Sequence, residues 1–311
     1  MPALDDGPRN IEPPNRRHRV AALQTTEFAN DGLDLLIDLK GYTLGARPGV
    51  LARRPCARQL SWLGYPGSMG APFIDYLIAD SITVPAGCES HYSERVLRLP
   101  QCYQPNDRQR AVEAPLARSG YDLPDDGFVF CALTQTYKIT PDVFACWMRL
   151  LDKTPGSVLW LLSDNPWATE NLRDAASRHG IDASRLIFAP KMPLAKHLAR
   201  YRVADLALDT LPYGSHTTAS DALWAGCPIV ALCGNTFAAR VCPSILNAAG
   251  FPELSVNTLG EYEAIALRMT RDDAFKEHVR AKLTQTRLTT PLFDAEQFTR
   301  HLEQLYREVV S

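Results

Sequence analysis

LALDTLPYGSHTTASDALWAG, residues 206–226, brings two kinds of element together at one corner. Leu206 to Thr210 is a short apolar run of strand type, Tyr213-Gly214-Ser215 is a turn, and a helix is expected from about Thr218 or Ala219. The same rhythm runs upstream and downstream. FVFCAL from Phe128, SVLWLLS (157–163), RLIFAP (185–190) and PIVALC (228–233) are further strand candidates. Helix candidates at 141–152, 166–179, 194–202 and 219–225 lie between them, and Pro141-Asp142 and Asn165-Pro166 supply start signals. Strand and helix alternating in this way predict a parallel sheet with helices on both faces. After Cys233 the pattern is mainly helical, over about 236–249, 259–271, 273–285 and 294–309.

In such a sheet, ligands bind at the carboxyl ends of the strands, where the following helices begin. The first N–H groups of a helix after His216 would lack intrahelical partners, and the helix dipole is positive there. Thr217 and Thr218 add hydroxyl donors, so a phosphate or diphosphate would be held well. Asp221, further along, could accept from sugar hydroxyls. Plain capping by Thr218 or Ser220, with Asp221 as a dipole complement, explains the same residues. LTQTYKITPD (133–142) follows another strand, and Lys138 in it could set an ammonium against a diphosphate leaving group. A solvated surface lysine is the alternative. In PLAKHLAR (193–200), His197 could face a base, with Arg200 on the same helical face. A histidine on a helix surface reads equally well there.

The chain has 311 residues, with 46% hydrophobic and 22% charged residues and a formal net charge of −2. That balance argues against nucleic acid or an acidic membrane as partner. No apolar run reaches membrane-spanning length, and no signal peptide opens the chain. The eight cysteines form no CxxC pair and several sit in apolar runs, which predicts reduced, buried thiols in a cytoplasmic protein. The seven histidines show no HExxH and no close pair, so no metal site is expected.

The first 20 residues are Pro- and Arg-rich and read as disordered. DLLIDL (34–39), ARQLSWL (57–63), DYLIAD (75–80) and RVLRLP (95–100) read as strands buried on both faces. The polar stretch 106–127 reads as a linker. The expected organisation is a tail over 1–30, a partial Rossmann-like domain over 31–115, a second Rossmann-like domain over 116–285, and a C-terminal helix over 286–311 packing back on the first domain.

These segments together resemble a family. DLLIDLKGYTLGARPGVLARRPCARQLSWLGYPGSMGAPFIDYLIAD (34–80), HYSERVLRLPQCYQPND (91–107), YKITPDVFACWMRLLDKTPGSVLWLL (137–162), LDTLPYGSHTTASDALWAGCPIV (208–230) and TPLFDAEQFTRHLEQLY (290–306) are similar to the catalytic region of the O-linked N-acetylglucosamine transferases. That family also includes the SPINDLY-type protein O-fucosyltransferases and bacterial tetratricopeptide-repeat proteins. The resemblance implies an α/β chain of GT-B type: two Rossmann-like domains facing a cleft, with no metal and no cofactor. It implies a UDP-sugar donor, most often UDP-N-acetylglucosamine, and Ser or Thr hydroxyls of proteins as acceptors. GDP-fucose is the donor of close relatives.

Carried over by motif, Gln135 and Lys138 contact the diphosphate, Lys138 as electrostatic catalyst and Tyr137 beside it. His197 and Arg200 hold the uracil, and His216, Thr217 and Thr218 cradle the diphosphate. Asp221 takes the ribose, and Leu63 and Gly64 line the sugar pocket. Tyr213 stands where some members have Cys, and Leu194 where some have Lys. Relatives carry, ahead of the LKGYT segment, a strand and two histidines on the acceptor side; His18 does not match either. The first domain is therefore expected to be incomplete, with apolar edges that favour self-association. A non-catalytic remnant that binds a nucleotide-sugar or a partner protein is the alternative reading.

Overall fold

The computed structural model describes residues 25–311; most of the expected tail, and His18 with it, lies outside the described residues. The chain divides into two compact units. One comprises residues up to Ala79 together with Gly87–Arg98 and Glu303–Ser311, and the other comprises Asp80–Ala86 and Leu99–Leu302.

The first unit is built on a four-stranded sheet in the order β1-β2-β3-β4: Leu36–Asp38, Gln59–Ser61, Tyr76–Asp80 and Arg95–Leu99. β1 pairs with β2, and β2 with β3, in parallel. The expectation that all four strands are buried on both faces fails at the edges: β2 is fully buried, whereas β1 is only half-buried and β4 begins exposed. A strand with one neighbour cannot be covered as a central strand is. A short helix α1, Pro48–Leu51, packs Leu51 into a small core with Met69, Ala71 and Ile74. At the carboxyl end of β2, Leu63 takes a positive φ of 71°. Its neighbour Gly64 passes so close to Leu39 that a Cβ would sit 2.1 Å from the Leu39 carbonyl oxygen.

The second unit holds a six-stranded sheet whose neighbouring strands pair in parallel. Its strands are β5 Val129–Ala132, β6 Val158–Leu162, β7 Leu186–Ala189, β8 Leu206–Leu208, β9 Ile229–Leu232 and β10 Ser255–Val256. Helices α2 Pro141–Lys153, α3 Pro166–Arg178, α4 Leu194–Tyr201, α5 Thr217–Ala225 and α6 Phe237–Ala248 alternate with them; α7 Leu259–Arg271, α8 Asp273–Thr286 and α9 Ala295–Val310 follow.

β5, β6, β8 and β9 are buried at every position, which is why their sequences are unbroken apolar runs rather than alternating ones. Helix starts follow local chemistry. Pro141 and Pro166 sit in first turns, the Asn165 side chain accepts from the N–H groups of Trp167 and Ala168, and Thr258 and Glu261 form a reciprocal capping box. Trp147, Trp160 and Phe130 fill the centre of the core.

Three further expectations are corrected by the structure. Helix α5 begins at Thr217, a residue or two before the expected start, and β10 has no counterpart in the sequence reading because a two-residue strand carries no periodicity. The stretch 106–127 is irregular as expected, but it is not a free linker. Glu113 N–H donates to Ala195 O at 3.3 Å, and the Arg118 guanidinium donates to Val203 O, Gly127 O and Asp205, all within the second unit.

The sheet order is β10-β9-β8-β5-β6-β7. The chain starts in the middle at β5, moves one way to β6 and β7, then returns to β8 and moves the other way. The order reverses between β5 and β8, the place in a sheet of this kind where ligands bind.

Candidate functional site

The loops leaving β5 and β8 are the two that carry Lys138 and His216. The β5 loop makes a single tight turn over Thr136–Lys138, with Gln135 before it. Thr136 is fastened to the β6 loop, its N–H and hydroxyl both donating to the Asp164 carboxylate at 3.2 and 2.7 Å. The Thr140 hydroxyl donates to Leu211 O at 3.1 Å, and the Lys138 ammonium donates to Gly214 O at 3.2 Å. Two loops far apart in sequence are thus tied across the reversal point.

Three sequence-predicted residues meet there. The Lys138 nitrogen lies 4.4 Å from the centroid of the Tyr213 ring, and the His216 imidazole stacks on that ring at 5.0 Å with an angle of 23°. The His216 Nε2 donates to Ala238 O at 3.2 Å, an assignment that leaves Nδ1 as acceptor when the ring is neutral. Burial pushes the His216 pKa down to about 4, against the Ala238 bond and with the help of the Lys138 charge. Burial also lowers the Lys138 pKa, while the Asp209 carboxyl works to raise it.

Asp209 organises the corner from below. It is 2% exposed, and its Oδ1 accepts from Thr210 N–H at 2.8 Å and Ser215 N–H at 2.6 Å. These bonds draw both ends of the loop from Thr210 to Ser215 onto one carboxyl. Burial raises its pKa to about 6 despite them. The sequence reading passed over Asp209, although a carboxyl ending an apolar strand run signals a buried polar group with a task.

His216 precedes α5 without a side-chain cap, and Ser220 N–H and Ala219 N–H both turn back to His216 O. Among the described residues, nothing accepts from the N–H groups of Thr217 or Thr218. The alternative of plain capping by Thr218 or Ser220 therefore does not describe this terminus: both residues lie inside the helix, and Ser220 Oγ instead accepts from Gln104 at 3.0 Å. The first turn presents N–H groups and the exposed Thr217 hydroxyl, a favourable setting for an anion.

Asp221 lies on the same helix, buried, in an ion pair with Arg110 that leaves its side chain 9% exposed. Arg110 was not foreseen; nothing in a polar, turn-rich stretch marks one arginine above its neighbours. Helix α4 packs beside α5 and carries His197. The His197 Nδ1 faces the Arg200 guanidinium, and burial together with that charge lowers its pKa to about 4. Arg200 itself is only 1% exposed and donates to Pro190 O at 2.8 Å, so it orients His197 rather than offering a surface of its own. Gln135 and Tyr137 are exposed beside Lys138, Tyr137 to 74%. Leu63 and Gly64 belong to the first unit, at the end of β2.

Among the described residues no group of three or more His, Cys, Asp and Glu side chains is placed to hold a metal ion. All eight cysteines are free thiols, and no described helix is long and apolar enough to cross a membrane.

Residues 20–114 and 108–302 match the profile of the family described as Glycosyl transferase family 41. The "Probable UDP-N-acetylglucosamine--peptide N-acetylglucosaminyltransferase SEC" of Arabidopsis thaliana is 36% identical over 283 residues, 89% of this chain and 29% of that protein. The UDP-N-acetylglucosamine--peptide N-acetylglucosaminyltransferase of Caenorhabditis elegans is 27% identical, covering 90% of this chain and 34% of its own. The chain thus spans about a third of the length of these curated relatives. A solved mutant of the Thermobaculum terrenum O-GlcNAc transferase superposes with a TM-score of 0.84 at 32% identity, covering 93% of this chain and 55% of that one. Sucrose-phosphate synthase of Thermosynechococcus elongatus, 16% identical with a TM-score of 0.64 over 98% of this chain and 82% of its own, shares the fold. The α/β architecture is of GT-B type.

Proposed function

Because the chain belongs to glycosyl transferase family 41, we propose that it binds UDP-N-acetylglucosamine and transfers the sugar to Ser or Thr hydroxyls of proteins. The observation that carries this reading is the meeting of Lys138, Tyr213, His216 and the uncapped start of α5 at the reversal point of the second sheet. The names of the relatives supply the donor and the acceptor class.

In this reading the α5 terminus, with Thr217 and Thr218, receives the diphosphate, and Gln135 and Tyr137 border it from the β5 loop. His197, oriented by Arg200, meets the base, and Asp221 takes the ribose hydroxyls. As the acceptor oxygen bonds to the anomeric carbon, its hydroxyl proton is released to solvent, the bond from that carbon to the diphosphate breaks, and UDP leaves with one more negative charge. Lys138 stabilises that charge as it develops. The helix terminus and Lys138 supply the positive field, so no metal is needed for the leaving group.

Two further parts of the reading concern setting. Eight free thiols, six of them buried, suit a reducing cytoplasm. The β1 edge, with Leu39, Tyr42 and Leu44 exposed beside it, suits self-association.

The test is calorimetric titration with UDP and with GDP, each repeated in the presence of a chelator. UDP-selective binding that the chelator leaves unchanged is expected, followed by release of UDP from UDP-N-acetylglucosamine when a Ser/Thr peptide is added. Binding without release would reduce the chain to a nucleotide-sugar-binding module. A GDP preference would move the donor to a guanosine diphosphate sugar, and loss on chelation would overturn the metal-free mechanism.

A further inference from the structure

The geometry points to Arg110 as a positioning residue for the nucleoside half of the donor site: it fixes the Asp221 carboxylate in the orientation and ionic form that ribose hydroxyls require. The inference rests on the reading of Asp221 as the ribose contact.

Arg110 reaches α5 from a segment that is itself strapped down. Its backbone oxygen accepts from Trp224 Nε1 at 3.1 Å, one helical turn beyond Asp221. Six residues earlier Gln104 donates to Ser220 at 3.0 Å, and three residues later Glu113 N–H donates to Ala195 O at 3.3 Å, at the start of the helix that carries His197. One irregular segment therefore ties together the two helices assigned to base and ribose. The Arg110 guanidinium also packs 5.6 Å from the Trp224 ring, which Arg287 approaches at 5.0 Å. Its Nε donates to Asp107 O at 3.1 Å.

The pair with Asp221 is asymmetric. Arg110 Nη1 bonds Oδ1, whereas Oδ2 makes no hydrogen bond among the described residues, in a side chain that stays 9% exposed. The guanidinium is likewise incompletely paired, its Nη2 being buried without a partner. Here one oxygen is anchored and the other is presented.

Ribose hydroxyls donate more strongly to an ionised carboxylate than to a protonated carboxyl, which has lost its charge and part of its acceptor capacity. Burial drives Asp221 toward the protonated form, and the Arg110 charge and hydrogen bond oppose it. The buried Tyr201 phenol on α4 also feels the Asp221 charge; Arg287 lies across Trp224, donating to Trp224 O. Arg110 is the cation in contact.

The experiment measures UDP affinity by calorimetry between about pH 8 and pH 6 for Arg110→Gln, Arg110→Lys, Asp221→Asn and the double variant, each as a ratio to the unaltered chain so that titration of the ligand and of His216 divides out. For Arg110→Gln the ratio should worsen toward acid, by up to about tenfold per pH unit below the new carboxyl midpoint. Arg110→Lys should restore a flat ratio, and in the Asp221→Asn background Arg110→Gln should cost nothing further. A ratio that is the same at both ends of the range, or an Arg110→Gln cost that persists beside Asp221→Asn, would overturn the proposal. One measurement needs no Arg110 variant: the carboxyl carbon resonance of Asp221, assigned by its loss in Asp221→Asn, should remain that of a carboxylate across the range. Its titration there in the unaltered chain would also overturn the proposal. If the unaltered chain binds no UDP, the donor-site reading falls and this role with it; binding with a pH-flat ratio removes only the role of Arg110.

Discussion

Replacing Lys138 by Met removes one positive charge and keeps the length of the side chain, so it isolates the electrostatic part of the proposed mechanism. The ammonium is half-buried between Gly214 O at 3.2 Å and the Tyr213 ring at 4.4 Å, and an oxyanion at the α5 terminus would be a third neighbour. A unit charge ~4 Å away at an effective dielectric of about 20 interacts by about 4 kcal/mol. If half of the new charge on the diphosphate has developed at the transition state, the loss is about 2 kcal/mol, roughly 30-fold in rate. Removing one donor from a preorganised oxyanion site typically costs about 10²–10³ in kcat. The expected fall in kcat for UDP release from UDP-N-acetylglucosamine is therefore roughly 30- to 1,000-fold. Affinity for the intact sugar nucleotide should weaken by about tenfold or less, because that charge has not yet formed in the ground state. Calorimetry on UDP-N-acetylglucosamine and a coupled assay for released UDP give the two numbers separately. An affinity loss as large as the rate loss, or an unchanged kcat, would refute the reasoning and leave Lys138 as a binding residue only.

Three other outcomes are expected. His216→Ala should weaken UDP binding by about tenfold, the scale of one hydrogen bond to a charged group; an unchanged titration would return the corner to a purely structural role. Acid should destabilise the fold through His197 and His216. Their folded pKa values are about 4 against 6.5 for the free side chain, so the unfolded state binds more protons as pH falls, and stability present above pH 6.5 is lost toward pH 4. At most about 3 kcal/mol per histidine is involved, and Asp209, raised to about 6, partly offsets it by favouring the folded state once protonated. Urea midpoints measured from neutral to mildly acid pH should therefore decline less for His216→Gln than for the parent, and parallel declines would contradict this. Gly64→Ala should destabilise the first unit by about 1–3 kcal/mol or more, since its Cβ would lie 2.1 Å from a backbone oxygen that has no rotamer to escape into; a melting curve unchanged from the parent would contradict that.

The sequence by itself determined the elements and the chemistry of the corner. Unbroken apolar runs at 129–132, 158–162 and 229–232 could be satisfied only by strands covered on both faces, and Pro, Asn and Thr at helix starts act through bonds local enough to be legible in order. Lys138 and His216 were visible because each lies in the loop after an apolar strand run, where a parallel sheet ends in loops, and Asp221 because it follows early in the next helix. What the sequence could not contain was the strand order. That β5 and β8 are neighbours, so that Lys138 touches Tyr213 from a loop 75 residues away, follows from which strands share hydrogen bonds, and nothing in either segment encodes its neighbour. The role of Arg110 was hidden for the same reason. An arginine in a polar stretch looks solvated until tertiary packing removes the water around it and sets a buried carboxylate against it. Local periodicity is a property of the backbone, whereas a salt bridge across 111 residues is a property of the fold.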